Sequence, residues 1–284
     1  MKLSSIAAGL TAAASALGSA AAAPVSALSA SLADIDSTCG FRATYQIISY
    51  LNTGSVDKGD SMCIAGSEGA GYTAGLARFS TQYGSVLNVV KLYKADSTYK
   101  GEFDALLPTL EKYAAQQSGA LAGLEKFCDA WAKAATNRNA FRGVQLTAVR
   151  TLYDVPLRDY ISNLGIEYPL TKTAIIDTLL LNGYGDTKDG LGAIVSATNA
   201  AFTADASGDS ESMLSVGSAK VKVDEIVWLS KFLDTRDRLS NGRDSSHSDP
   251  LRSLIKSQTY TLNGTFTFTG FGDKPISIGC NKLL

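Results

Sequence analysis

The chain has 284 residues, 45% of them hydrophobic, with 26 Lys and Arg against 27 Asp and Glu and a formal net charge of −1. That length is enough to bury a substantial core in one large or two small lobes. A charge this close to zero sets up no basic field, which argues against nucleic acid as a partner.

Lys2 is followed by an Ala-, Leu- and Gly-rich run from Leu3 to Ala23 that ends in small residues before Pro24. This is the pattern of a signal peptide over residues 1–23, cleaved near Ala21 to Ala23. A membrane anchor is disfavoured, because the run is rich in small residues and no second apolar run of spanning length follows. Residues 24–38 are Ala- and Ser-rich and read as a disordered lead-in. Cys39, Cys63, Cys128 and Cys280 are widely spaced with no C-x-x-C, which points to two disulfides in an oxidising compartment rather than to zinc or redox chemistry. Three pairings are possible. Cys39–Cys280 with Cys63–Cys128 is preferred, since chain ends often meet. Leader and cysteines together predict a secreted, extracellular protein, expected to be a monomer with no membrane partner.

Phe41, Tyr45 and Ile48, with Ile47 and Leu51, have helical spacing and predict a first helix, stopped by Asn52-Thr53-Gly54. Ser61 to Ala65 reads as a short strand and Gly66 to Gly71 as the bend of a hairpin. Within that bend Glu68 sits among glycines, with Tyr72 and Thr73 four and five residues further on. Glycine permits positive φ and close backbone approach, so the segment predicts a tight bend that exposes one carboxylate. Most of the remainder reads as helix, over roughly 85–95, 100–117, 120–135, 140–160, 170–182, 188–203 and 219–240, with Pro108 kinking or offsetting the 100–117 helix. Val86, Val89, Val90 and Tyr93 form one apolar stripe for a core. Thr259 to Thr269 alternates and predicts a strand, which carries the sequon Asn263-Gly264-Thr265. There is no phosphate loop, dinucleotide fingerprint or His/Cys cluster, so no cofactor and no metal are expected.

The run Gly66-Ser67-Glu68-Gly69-Ala70-Gly71-Tyr72-Thr73 resembles the catalytic hairpin of the family 46 glycoside hydrolases, the chitosanases. Ser85 to Tyr93 is similar to the helix after that hairpin. Ala130-Trp131, Phe141-Arg142, Gln145, Ile176-Asp177-Thr178, Asn182-Gly183, Phe232 to Arg236 and a closing Leu262-Asn263-Gly264 strand follow in the family's order. The resemblance covers nearly all of the chain after the leader. It implies a mainly α (α+β), two-lobed lysozyme-like and chitosanase-like fold with a small β-hairpin and a C-terminal strand. Residues 39–284 would then form a single catalytic domain of two lobes acting on a β-1,4-linked glycan.

Inverting glycosidases use two carboxyl groups, one to protonate the leaving oxygen and one to activate water. The resemblance puts the base on Glu68 and the threonine that helps hold the water on Thr73. It puts the general acid on Leu51, or on Tyr50 if the gap is placed differently, and neither supplies a carboxylic acid. Asp57 and Asp60 are the nearest replacements and read as solvated loop acids. The aspartate that helps bind the glucosamine amine falls on Ser85, and the hairpin arginine on Ala70. Arg78 is expected on the next helix turn, with Lys91 and Lys94 further along; these cations suit a neutral or anionic glycan, or are simply the wet side of a helix. Asp177 and Arg236 fall on a buried ion pair behind the family's site, read here as structural. His247, near the family's second arginine, reads as a surface histidine on a serine-rich loop rather than as a partner of Asp177.

Three readings follow. The first is an endo-acting hydrolase with Glu68 as base and no identified acid. The second is a lyase acting on a polyuronate, with Tyr50 or Tyr72 as base or acid and Asn52, Arg78 or Asn182 holding the carboxylate. The third is a non-catalytic carbohydrate-binding descendant.

Overall fold

The structure, a computed structural model, describes residues 39–66, 69–184 and 187–279. The leader, the lead-in, Glu68 and Cys280 lie outside the described residues. The fold is mainly helical with small antiparallel sheets, and the chain divides into two compact units.

The unit of residues 45–155 takes in most of helix α1 (Cys39–Thr53), whose Tyr45, Ile47, Ile48 and Leu51 are all buried. Gly54 ends the helix at φ +72°, its N–H donating to the Tyr50 carbonyl at 2.7 Å, a left-handed stop that glycine makes without strain. A three-stranded sheet follows, of β1 (Cys63–Ala65), β2 (Tyr72–Ala74) and β3 (Phe79–Ser80). Its register sets Ile64 opposite Thr73, and Thr73 opposite Ser80. The hairpin reading therefore stands, but residues 76–78 form a turn rather than helix, and Arg78 is an exposed turn residue at φ +50°.

Helices α2 (Ser85–Lys94), α3 (Leu107–Gln116), α4 (Phe127–Ala134) and α5 (Arg138–Val149) then surround an aromatic core. Trp131 and Phe141 meet at 4.8 Å between ring centroids, and Tyr93 and Phe141 also at 4.8 Å. The 100–117 helix is shorter than expected, because Pro108 fits the first turn, where its missing N–H has no partner to lose. After α5 the chain makes a π-helical turn, Arg150–Asp154.

The other unit takes in 156–279 with residues 39–44. It holds helices α6 (Val155–Leu164, from Pro156 onward), α7 (Pro169–Asn182), α8 (Leu191–Ala200), α9 (Glu225–Leu239) and α10 (Ser245–Lys256). The expected helix 219–240 begins only at Glu225. Its first residues belong instead to β5 (Val221–Asp224), paired with β4 (Met213–Val216). Asp224 then caps α9, its Oδ1 accepting from the N–H groups of Ile226 and Val227 at 2.8 and 3.0 Å. The predicted C-terminal strand is confined to β6 (Thr265–Thr269) and pairs with β7 (Pro275–Gly279). Asn263 thus precedes the strand and is exposed.

Candidate active site

The hairpin is pinned from behind by two side chains of its own unit. Gln145 Oε1 accepts from the Leu76 N–H at 3.0 Å, while its Nε2 donates to the Asp60 carbonyl at 2.8 Å. Trp131 Nε1 donates to the same carbonyl at 2.9 Å. Gly75, at φ +78°, lies against both, and a Cβ there would strike Gln145 and Trp131. These contacts give Trp131 and Gln145 a physical reason to occupy their positions. Cys63 is bonded to Cys128, tying β1 to α4. Cys39 is also disulfide-bonded, while the expectation that Cys280 is its partner falls outside the described residues.

Residues Gly66 and Gly71 close the bend, the Gly66 N–H donating to the Gly71 carbonyl at 2.6 Å. Tyr72 is fixed on both sides of its peptide: its N–H donates to Thr81 Oγ1 at 2.9 Å and its carbonyl accepts from the Thr81 N–H at 3.0 Å. Its ring lies 5.3 Å from that of Phe127. Next to it, the Thr73 hydroxyl is buried and has no hydrogen-bond partner among the described residues. Ser85 opens α2, and its Oγ accepts from the Ser80 N–H at 2.8 Å. Tyr153, from the π-turn, also hydrogen-bonds Ser85; burial pushes the Tyr153 phenol up, against the effect of that bond. The structure thus brings Tyr72, Thr73 and Ser85 to one sheet and its adjoining helix start.

Several expected site residues stand elsewhere. Tyr50 and Leu51 are buried in α1, Leu51 with only 3% of its surface exposed. Asn52 turns its Nδ2 back to the Ile48 carbonyl at 2.9 Å. Asp60 is not a solvated loop acid: it is 2% exposed, and Arg138 Nε lies 3.5 Å from its Oδ2. Arg138 also donates to the Asp57 carbonyl and Arg142 to the Val56 carbonyl, so these arginines hold the loop that leads into the hairpin. Asp57 itself is exposed, as expected. Lys91 and Lys94 pair with Glu111 and Asp104 at 3.0 and 2.7 Å on an exposed face, which agrees with the wet-side reading of these two lysines.

In the other unit, Asp177 and Arg236 form the expected buried pair. His247 departs from expectation. It lies on helix α10 rather than a loop and is nearly buried, with Nδ1 2.9 Å from Asp177 Oδ1. Asn182 donates to Asp244 Oδ2 at 2.8 Å and accepts from Arg243 at 3.1 Å, which commits both ends of its amide. Among the described residues no group of three or more His, Cys, Asp or Glu is placed to hold a metal ion, and no helix is long and apolar enough to cross a membrane.

Residues 37–269 match the sequence profile described as Glycosyl hydrolase family 46. Over 208 residues the chain is 32% identical to a chitosanase of Bacillus subtilis (strain 168), a match covering 69% of this chain and 70% of that protein. The crystal structure of native chitosanase from Bacillus subtilis MY002 is similar at a TM-score of 0.69 and 28% identity, over 85% of this chain and 99% of that one. A chitosanase of Gynuella sunshinyii in complex with chitotetraose also gives 0.69, at 27% identity over 85% and 98% of the two chains.

Proposed function

The chain belongs to glycosyl hydrolase family 46, and we propose that it cleaves internal β-1,4 links of chitosan or a related polysaccharide, with Glu68 as the base that activates water and Thr73 as a holder of that water. The observation that carries this reading is the Thr73 hydroxyl, buried without a partner among the described residues on the strand leaving the Gly66–Gly71 bend. Leaving such a group unmade costs about 1–3 kcal/mol, a cost that a bound water or a sugar hydroxyl offsets. The substrate class is supported by relatives bound to chitotetraose and to 6 GlcN. The leader over residues 1–23 and the disulfides support export, and the protein is proposed to work as a secreted monomer.

Water activation by Glu68 leaves the leaving-group oxygen to be protonated. Leu51, at the family's acid position, has no proton to give, and Asp60 is held against Arg138. A general acid typically contributes about 10² to 10⁴ in rate. Turnover on chitosan is therefore expected to be slower by about that factor than with both groups present. A glycosyl fluoride, whose leaving group needs no proton, escapes this penalty. The test is hydrolysis of chitosan, chitin oligomers and a chito-oligosaccharyl fluoride by wild type and Glu68→Gln. Wild type should favour the fluoride strongly, and Glu68→Gln should lose both activities. No loss on either substrate would remove Glu68 from the mechanism.

Leu51 in the core favours one second reading, a carbohydrate-binding protein without turnover. It predicts equal oligosaccharide affinity for wild type and Glu68→Gln, with no reducing ends and no fluoride release from either. Elimination from a polyuronate finds no support, since the matched relatives named above are chitosanases.

A further inference from the structure

We propose that Asn263 is an acceptor for an N-linked oligosaccharide, a modification carried by the unit of residues 156–279. Among the asparagines of the chain, Asn263 alone has a hydroxyl residue two places on, in Asn263-Gly264-Thr265, with no proline between. The sequon lies in the connection from α10 to β6 and ends on the first residue of that strand. Leu262 before it is fully buried at φ +51°, while Asn263 is exposed. Gly264 follows at φ +74°, and a Cβ built on it would meet nothing within 4 Å, so the space beside the asparagine is open. Thr265 is exposed as well and stands opposite Gly279, where a Cβ would come within 3.0 Å of Thr265 Oγ1. Glycine there leaves the hydroxyl uncovered.

Neither side chain of the sequon is committed elsewhere: among the described residues the Asn263 amide and the Thr265 hydroxyl make no hydrogen bond. The fold therefore draws nothing from the groups the modification would take. The Gly264 N–H does have a partner, the Sγ of the disulfide-bonded Cys39 at 3.0 Å, which holds the backbone of the sequon once the chain has folded. Transfer accordingly belongs to the chain during export, before that contact forms, and the folded unit has only to leave room for the product. The donor is a lipid-linked oligosaccharyl diphosphate. Asn263 Nδ2 forms the bond to C1 of the first sugar as the bond from C1 to the diphosphate oxygen breaks. The lipid diphosphate leaves with the electron pair, and Nδ2 gives up one proton to a base of the transferase. Nothing is oxidised or reduced.

This rests on reading the chain as exported, and the test separates the two claims. The full chain is secreted from a yeast twice, behind its own leader and behind a leader native to the yeast. The secreted protein is treated with a peptide N-glycosidase in heavy-oxygen water and read by mass spectrometry. In most molecules residue 263 should be converted to a heavy-oxygen aspartate, and the intact protein should lose the mass of one oligosaccharide. Asn263→Gln and Thr265→Ala should abolish that shift, while Thr265→Ser keeps it. If only the yeast leader gives secretion, the export reading fails alone, and the protein so secreted decides the site. An asparagine left bare in most of those molecules would overturn the proposal, as would a shift that survives Asn263→Gln. If Asn263→Gln is not secreted, Thr265→Ala and Thr265→Ser decide. Loss in the first with retention in the second supports the site, and equal occupancy in both overturns it.

Discussion

Arg236 Nη1 and Asp177 Oδ2 meet at 2.8 Å with neither side chain exposed, and the second carboxylate oxygen of Asp177 faces His247 Nδ1 at 2.9 Å. The remaining donors of Arg236 are also placed: Nε and Nη2 donate to Ser248 Oγ at 3.2 and 2.7 Å, and Nη1 to Thr178 Oγ1 at 3.1 Å. A buried ion pair holds only when its other donors and acceptors are satisfied, and this one joins α7, α9 and α10.

Burial alone would push the Asp177 carboxyl up. The charges of His247 and Arg236 and their hydrogen bonds outweigh that and hold it below its ordinary value. A carboxyl depressed on folding stabilises fully above its unfolded pKa, about 3.9, and the stabilisation is lost as pH falls through the lower folded value. Asp177→Asn should therefore cost about 3–5 kcal/mol at neutral pH. The gap from wild type should shrink below about pH 4. Urea unfolding across that range reads both, and a gap that does not change with pH would rule the ion pair out as its source.

Thr73→Val separates stability from turnover. Removing a buried hydroxyl that has no partner among the described residues should leave folding unchanged or raise stability by up to about 1 kcal/mol. Chitosan hydrolysis should fall about tenfold or more if the hydroxyl holds the water. Thermal unfolding and reducing-end release on the same preparation decide it; a stable variant of full activity would take Thr73 out of the reaction.

Ser85→Asp tests specificity. A carboxylate there would still accept the Ser80 N–H that now reaches Ser85 Oγ at 2.8 Å. At the first residue of a helix it gains about 0.3–1 kcal/mol from the helix dipole. The ratio of kcat/KM on fully deacetylated chitosan to that on N-acetylated oligomers should rise several-fold. An unchanged ratio would leave Ser85 with the locking role alone.

The Cys63–Cys128 bond spans 65 residues of sequence. In the chain-entropy account such a closure contributes about 4 kcal/mol. The double variant Cys63→Ser/Cys128→Ser should lose about that much in guanidinium unfolding. A loss under about 1 kcal/mol would mean that packing, not the crosslink, holds β1 to α4.

Local signals carried much of this structure. Apolar spacing marks α1 and α2, glycines mark the bend, and alternation with Phe266 and Phe268 marks β6. The β4–β5 hairpin was legible too, in Val221-Lys222-Val223 after Gly217, but a helical reading of 219–240 absorbed it. Helix α10 is mostly polar and contains Pro250, so only Leu251 and Leu254 betray it. What no window of sequence reveals is long-range. Asp60 is buried because Trp131 and Gln145, 71 and 85 residues away, both bond its carbonyl. His247 finds Asp177 only once three helices meet.

Leu51, 3% exposed on α1, is a position where a second carboxyl group could be introduced only at a steep cost. A change of Leu51 to glutamate would set a charge on the buried side of α1, with Ile47 and Ile48, or force a protonated acid to find a partner there, at a cost of several kcal/mol. Selection acting one substitution at a time would meet that instability before any gain in rate. A second carboxyl group is therefore gained more readily from an exposed position than from the buried face of α1.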